Sequence, residues 1–469
     1  MNRLVVRQAA AGLAEYLLRE VPGAVEHGVI IGFDARRKSD VFAIDTARVF
    51  AARGIRARVF EHVVPTPVLA WNITGTASAA GVVVTASHNP PADNGYKVYL
   101  GTGSQIVPPA DIDIAAAIDG FDACTVELAA EDDPLIERLD HTLVDAYLDS
   151  VAGVRLVPGI SGRPVAYTAM HGVGGAVLLA AFERAGLAPP HVVPEQQQPD
   201  GTFPTVSFPN PEEPGAMDKV IAIATANDCT VAIANDPDAD RLGAAIPTRA
   251  GSWRRLTGDE LGWLLADHVL EHTTGDDRLV VTTLVSSSLL GRMAAHHGIH
   301  SAETYTGFKW IGHTVLERPH LRFVFGYEQA LGYLVTDRPL DKDGITAAVL
   351  LAEIAALTER DGVTIEDRLD AIATKYGRHI TGDLSIRMTP DEAAAAVDGL
   401  RAEPPAEIGG KTVTATAWFA EAGLLRFELG DDLRLQIRPS GTEPKVKLYA
   451  EGIELDPTPY LQALAALLG

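Results

Sequence analysis

Short runs of β-branched and other apolar residues recur along the chain, separated by longer stretches with helical spacing. Val29-Ile30-Ile31-Gly32-Phe33-Asp34 reads as a buried strand entering a loop, Ser39 to Arg53 as a helix, and Val82-Val83-Val84 as a second buried strand. Tyr96-Lys97-Val98-Tyr99-Leu100 supplies a further strand after the loop Asn89 to Gly95, and the chain opens with a helix running to about Glu20. The acidic segment Glu131 to Val151 is expected to be helical and to lead to a boundary. Near-continuous apolar strands alternating with helices predict an α/β unit with at least partly parallel pairing.

The same rhythm restarts at Pro164-Val165-Ala166-Tyr167, continues through a helix around Gly175 to Ala185, and ends a strand, Val231-Ala232-Ile233-Ala234, at an aspartate cluster. Between them, Pro189 to Pro214 is a long Pro/Gln-rich excursion, either an ordered loop or a mobile cover. A third unit begins near Thr257, with strands at Leu279 to Thr283 and Phe323 to Phe325. The last region differs: Leu433 to Arg438 and Val446 to Ala450 alternate apolar and polar side chains, the period of a half-buried strand. The pattern predicts three tandem mixed-sheet α/β domains, 1–154, 155–254 and 255–369, followed by a smaller C-terminal α+β domain, 370–469.

Length and charge narrow this picture. At 469 residues the chain exceeds one ordinary core. Its formal net charge of -23 argues against nucleic-acid or anionic-membrane partners, which need distributed positive charge, while leaving room for a local cationic pocket. Cys124 and Cys229 cannot form a metal knuckle or a disulfide scaffold. With no apolar run of membrane-spanning length and no signal-peptide order at Met1-Asn2-Arg3, a reduced, cytoplasmic protein is expected.

The candidate chemistry lies at strand ends. Ser87 follows a buried strand within Thr85-Ala86-Ser87-His88-Asn89-Pro90, where ligands bind in open α/β sheets; the competing reading is an ordinary polar turn. Asp236, Asp238 and Asp240 offer hard oxygen ligands suited to Mg²⁺ if their loop bends so that they converge, and otherwise form a solvated acidic turn. Arg241 can orient a carboxylate or contact phosphate. Lys97 can move a proton or act only through its charge. Together the serine and the aspartates suggest a phosphoryl group carried beside a divalent metal.

Arg438-Pro439-Ser440-Gly441-Thr442-Glu443-Pro444 is a second phosphate-binding candidate. Arg438 can grip phosphate with two parallel bonds, Ser440 and Thr442 can satisfy its remaining oxygens, and Gly441 permits close approach; a surface hairpin is the alternative. Glu328 can accept hydrogen bonds from sugar hydroxyls, and Lys309 adds a cation beside Trp310, which is either an aromatic surface or a core residue. Asp341-Lys342-Asp343-Gly344 can shape the same pocket or cap the next helix. The sequence contains no Walker-type loop, so ATP need not be the donor.

Taken together, TASHNP (85–90), DPDADR (236–241), GFKWIG (307–312), GYEQALGY (326–333) and RPSGTEP (438–444) resemble the motifs of the α-D-phosphohexomutase superfamily, in particular its phosphoglucomutase-2-like branch of phosphoglucomutases, phosphomannomutases and phosphopentomutases. The resemblance covers almost the whole chain. It implies a heart-shaped, four-domain molecule around a central cleft, with a mobile terminal domain. It implies Ser87 as the phosphoserine, His88 in support, Lys97 as acid/base, and Ser87, Asp236, Asp238 and Asp240 as Mg²⁺ ligands. Arg36 and Ser39 fall in the first-domain surround, with Arg36, Arg241, Lys309 and Glu328 on the sugar phosphate and Arg438, Ser440, Gly441 and Thr442 on its distal phosphate.

The implied reaction interconverts hexose 1-phosphate and hexose 6-phosphate through a hexose 1,6-bisphosphate, with a sugar 1,6-bisphosphate as activator and a small phosphorylated sugar as partner. No residue fixes the epimer at sugar C2 or the oligomeric state. Phosphopentomutase, sugar-bisphosphate synthase and a non-catalytic phosphosugar binder are the alternatives. Members of the branch carry an upstream segment resembling FGTAGLRG, which does not precede Met1; a chain begun downstream of its natural start, or weakened mutase activity, is the corresponding expectation.

Overall fold

The computed structural model describes residues 1–440 and 444–468. Four tandem domains follow one another. In the first, the strand order is Lys97–Leu100, Ala80–Val84, Val29–Phe33, Ala57–Phe60, Ile136–Leu139. Val29–Phe33 and Ala80–Val84 are buried along their whole length and pair in parallel, Ile31 opposite Val82, which is why both read as unbroken apolar runs. Lys97–Leu100 returns antiparallel, Val83 opposite Lys97, making the sheet mixed. The helix Arg3–Glu20 begins where the Asn2 side chain accepts hydrogen bonds from the Leu4 and Val5 amides.

The second sheet runs Trp253–Arg255, Leu242–Pro247, Ala232–Asn235, Ala166–Thr168, His191–Val192, and the third His300–Thr304, Arg278–Thr283, Arg322–Glu328, Gly332–Leu334. Each repeats one device. A buried strand, parallel to its inner neighbour, ends in a loop, and the chain returns as an antiparallel strand: Ala80–Val84 to Lys97–Leu100, Ala232–Asn235 to Leu242–Pro247, and Arg322–Glu328 to Gly332–Leu334. Each loop contains a non-glycine residue in the left-handed region, Ser87 at φ +48°, Ala239 at +59° and Leu331 at +61°. Backbone hydrogen bonds tie the second and third loops to the domain before each. The Thr66 amide donates to the Asp238 carbonyl at 3.0 Å, and the Leu242 amide to the Leu331 carbonyl at 3.1 Å.

The fourth domain is an antiparallel sheet, ordered His379–Arg387, Lys445–Ile453, Leu433–Pro439, Leu424–Glu428, Ala415–Phe419, with helices Pro390–Ala402 and Thr458–Ala466 against it. Its core, including Phe427, Leu435, Ile437 and Leu448, is separate from the core that runs through the first three domains. Among the described residues no helix is long and apolar enough to cross a membrane.

Two features differ from the sequence expectations, and a third decides between two alternatives that the sequence left open. The segment 131–151 is not one helix: Ile136–Leu139 pairs in parallel with Ala57–Phe60 as an edge strand, and the helix is only Thr142–Val151. The exposed Glu137 and Arg138 look helical in composition, and pairing with the sheet edge overrides that preference. Residues 369 and 370, the expected last boundary, lie inside the helix Ile365–Tyr376, and the next sheet begins at His379. The excursion 189–214 is an ordered loop, with Val193, Gln196, Phe203 and Asn210 buried.

Candidate active site

Ser87 stands at the apex of the first of the three loops. Its Oγ donates to Asp236 Oδ2 at 2.8 Å and lies 3.3 Å from His88 Nδ1. Burial, reinforced by the positive charge of Arg241, pushes the His88 pKa down to about 2, so the imidazole beside the serine is neutral.

The second loop turns at Ala239 so that Asp236, Asp238 and Asp240, all fully buried, converge with one oxygen from each within 4.8 Å of the others. Asp236 Oδ1 accepts from the Arg241 amide at 3.0 Å, whereas Asp238 Oδ1 and Asp240 Oδ1 are buried without a hydrogen-bond partner. Buried carboxylate oxygens without donors, in a cluster of hard ligands beside a serine, fit a small dication such as Mg²⁺. Two lysines approach the cluster. Lys97 Nζ is 2.7 Å from Asp238 Oδ2 and 2.6 Å from Asp240 Oδ2, and Lys342 Nζ is 3.3 Å from Asp240 Oδ2.

These charges act on one another. Burial, then Asp238 and Asp240, push the Asp236 pKa well above the carboxylate range. Burial would also raise Asp240, but Lys342 and Lys97 outweigh it and hold Asp240 below that range. Burial works against the charge on Lys97, yet Asp238 and Asp240 hold its pKa above the ordinary lysine value.

Glu328, the last residue of its strand, is buried, and its pKa is raised by that burial against the pull of Lys342 and Arg241. Arg241 connects the loops: its guanidinium donates to the Ala330 carbonyl at 3.1 Å and lies 4.0 Å from Glu212. The structure therefore assembles Ser87, His88, Lys97, Asp236, Asp238, Asp240 and Arg241, with Glu328 adjoining through Arg241 and Lys342.

Other expected residues lie elsewhere. Arg36, expected on substrate, has its side chain fully buried, and it donates to backbone carbonyls of the Ser87 loop, among them Ser87 at 2.6 Å. Ser39 Oγ donates to Asp34 Oδ1 at 2.7 Å. Lys309 Nζ is 3.5 Å from Asp111 Oδ2, a contact from the third domain to the first, and 5.7 Å above the half-buried Trp310 ring. Arg438 and Ser440 lie at the end of strand Leu433–Pro439, where the Ser440 amide donates to the Lys445 carbonyl at 2.9 Å. Gly441 and Thr442 lie outside the described residues.

One contributor was not singled out from sequence, and a second was named there with its role open. Thr66 Oγ1 donates to Asp238 Oδ2 at 2.5 Å from the start of helix Thr66–Gly75. Lys342, left open between shaping the pocket and flanking a cap, also bonds Asp341 Oδ1 at 3.1 Å, while Asp341 Oδ2 accepts from Tyr99 and Gln105 at 2.7 Å each. The signal for Lys342 is a lysine flanked by two aspartates immediately before a long apolar helix. Asp343 caps that helix, receiving the Ile345 and Thr346 amides.

Loops converging at the carboxyl ends of strands, a serine on a buried tri-aspartate cluster and two lysines define an enzyme of phosphoryl transfer. The chain belongs to the phosphoglucomutase/phosphomannomutase family: models of its α/β/α domains I, II and III match residues 1–123, 145–250 and 257–376, and that of its C-terminal domain matches 385–456. It is thus an intramolecular phosphotransferase of the phosphohexomutase type. It is 44% identical over 466 residues to a Haemophilus influenzae protein named "Probable phosphomannomutase", covering 97% of this chain and 94% of that protein. It is 37% identical to a "Probable phosphoribomutase" of Schizosaccharomyces pombe, covering 96% of this chain and 83% of that protein. A phosphoglucomutase/phosphomannomutase family protein from Burkholderia thailandensis has the same fold, with a TM-score of 0.76 at 21% identity over 100% of this chain and 93% of that one.

Proposed function

We propose that this enzyme interconverts hexose 1-phosphate and hexose 6-phosphate, acting on glucose or mannose phosphates through phosphorylated Ser87. The observation that carries this reading is the 2.8 Å contact between Ser87 Oγ and Asp236 Oδ2, a serine hydroxyl against the aspartate cluster. Similarity to the H. influenzae protein supports a hexose substrate. Similarity to the S. pombe protein supports a second reading, a pentose phosphate substrate.

In this mechanism Ser87, Asp236, Asp238 and Asp240 would hold Mg²⁺, which when bound supplies positive charge to the transferring phosphoryl oxygens. The Ser87 Oγ–phosphorus bond breaks as a sugar hydroxyl oxygen bonds phosphorus, giving a hexose 1,6-bisphosphate. Lys97, kept protonated by Asp238 and Asp240, gives a proton to the departing serine oxygen and takes up the one released by the attacking sugar hydroxyl, so its charge is restored at the end of the step. Neutral His88 fixes that oxygen by hydrogen bonding. Glu328 binds sugar hydroxyls, and Arg241 and Lys309 the phosphate nearer the first three domains. Arg438, Ser440, Gly441 and Thr442 take the distal phosphate. The intermediate then reorients and returns its other phosphoryl group to Ser87, and a sugar 1,6-bisphosphate primes the unphosphorylated enzyme.

The four domains enclose a central cleft in this reading, with the last beginning after Tyr376 and opening for exchange. Its separate core supports that freedom. The test is intact-mass analysis after incubation with glucose 1,6-bisphosphate and Mg²⁺, together with rates on glucose, mannose and ribose phosphates. One phosphoryl adduct, lost in Ser87→Ala, and turnover of a hexose phosphate are expected. Turnover of pentose phosphates alone selects the second reading; tight phosphosugar binding with no adduct makes the protein a binder.

A further inference from the structure

Arg36 is a buried cation whose two terminal nitrogens both point at one short segment. NH1 donates to the carbonyls of Pro90 at 2.7 Å and Asp93 at 3.2 Å, and NH2 to those of Ser87 at 2.6 Å and Asn89 at 2.5 Å. Nε lies 3.2 Å from Asp34 Oδ2. Asp34 is itself fixed, since its Oδ1 accepts from the Arg36 amide at 3.0 Å and from Ser39 Oγ at 2.7 Å. The guanidinium thus substitutes for a β-ladder in a segment where Pro90 and Pro91 prevent regular pairing.

This matters at Ser87 because of its backbone. A non-glycine residue at φ +48° holds that conformation only when its surroundings impose it. A charged donor on the Ser87 carbonyl sets the peptide plane and, through it, the direction of the Cα–Cβ bond carrying Oγ. Lysine could not reproduce the arrangement, having one nitrogen in place of a planar fork.

The clamp is closed from the second domain. Phe203 lies with its ring 5.0 Å from the Arg36 guanidinium carbon, buried and itself at φ +48°. Gly201 makes this approach possible, because a Cβ there would overlap the Ala35 carbonyl oxygen and come within 2.6 Å of Arg36 Cα. Five residues further on, Phe208 packs 6.2 Å from the His88 ring.

We propose that Arg36 is a positioning residue for phosphoryl transfer, holding the Ser87 loop in its reactive shape under a cap supplied by Phe203 of the second domain. The inference rests on the phosphoserine reading above. It differs from a substrate contact: removal of Arg36 acts on the rate of transfer to and from Ser87 and not on sugar affinity.

The test measures the single-turnover rate of Ser87 phosphorylation by glucose 1,6-bisphosphate, KM for the hexose phosphate, thermal midpoints, and hydrogen exchange of the 87–93 segment. Arg36→Met is expected to slow loading roughly 100-fold with KM within about twofold, the scale of a misplaced reacting group. Arg36→Lys recovers part of the rate, leaving it about tenfold low, and both variants exchange faster over 87–93. If Arg36→Met does not fold, Phe203→Leu is read in its place, with loading slowed roughly three- to tenfold at unchanged KM. Wild-type loading rates in Arg36→Met or Phe203→Leu, or a rise in KM with the rate intact, would overturn the proposal. If wild-type protein itself takes no phosphoryl group, the phosphoserine reading fails, and unchanged exchange over 87–93 in Arg36→Lys separately refutes the clamp.

Discussion

At the scale of single residues, the centre is a balance of buried charge. Lys342 is fixed between Asp240 and Asp341, at 3.3 and 3.1 Å, with its side chain almost wholly buried. Removing one partner from a buried ionic cluster leaves the others uncompensated, at a cost of about 3–5 kcal/mol. Lys342→Met should therefore lower the thermal midpoint in chelator, and saturating Mg²⁺ should recover part of the loss, since a dication among Asp236, Asp238 and Asp240 binds only the folded protein. Thermal scans of both proteins with and without Mg²⁺ check this, and equal Mg²⁺ stabilisation in wild type and variant would refute it. Ser87 and the three aspartates were legible in the sequence because their residue types carry the chemistry. Thr66 and Lys342 were not, because their roles come from contacts across 172 and 102 positions of chain, to Asp238 and Asp240 respectively. Arg36 was visible as an active-site arginine, but its role depends on where its donors point.

At the scale of elements, the site is made by three equivalent strand–loop–strand turns fixed against neighbouring helices. Helix Gly258–His272 shows how tight this is. Thr257 and Glu260 close a reciprocal cap at its start, and a Cβ on Gly258 would overlap the Gln329 carbonyl oxygen, one residue beyond Glu328. Gly258→Ala is therefore expected to displace the turn 329–331 and reduce kcat/KM by roughly 10- to 100-fold, with Mg²⁺ affinity unchanged. Steady-state kinetics and Mg²⁺ titration test it; full activity would show that the turn accommodates the methyl group freely. The strands bearing Ser87 and the aspartates were legible because a doubly covered parallel sheet needs continuous apolar runs. Strand Ile136–Leu139 was hidden by Glu137 and Arg138, which are both exposed at the sheet edge. The excursion 189–214 showed only its Pro and Gln content, and its order comes from Phe203, Phe208 and Glu212 meeting groups on other elements.

At the scale of the whole molecule, the fourth domain meets the third through one concentrated polar contact. Glu451 accepts from the Ser288 amide at 2.9 Å, lies 2.8 Å from Arg434 Nε and from His379 Nδ1, and accepts from the Ser287 hydroxyl. Arg426 and Gln436 donate to the Leu284 carbonyl at 2.9 and 2.7 Å, beside a small apolar patch of Leu284, Val285, Leu424 and Tyr449. Burial would raise the Glu451 pKa, but Arg434 and His379, with the serine donor, outweigh it and depress the value from 4.5 to about 2. A depressed carboxylate stabilises the docked arrangement fully above pH 4.5 and loses that contribution as pH falls towards 2. Arg434 and His379 belong to the fourth domain, so the share of this contribution that crosses the junction lies in the bonds from the Ser287 hydroxyl and the Ser288 amide. Hydrogen exchange at the Ser288 amide should accelerate in wild type as pH falls through this window, after correction for intrinsic exchange. Glu451→Gln should begin from a weakened interface at neutral pH and show no further change there. The difference between the two curves separates this contact from general acid unfolding and from titration of the neighbouring Glu303 and Asp259, because the two proteins differ only in whether residue 451 titrates. Identical acid profiles in the two proteins would mean that docking of the last domain does not depend on the Glu451 carboxylate.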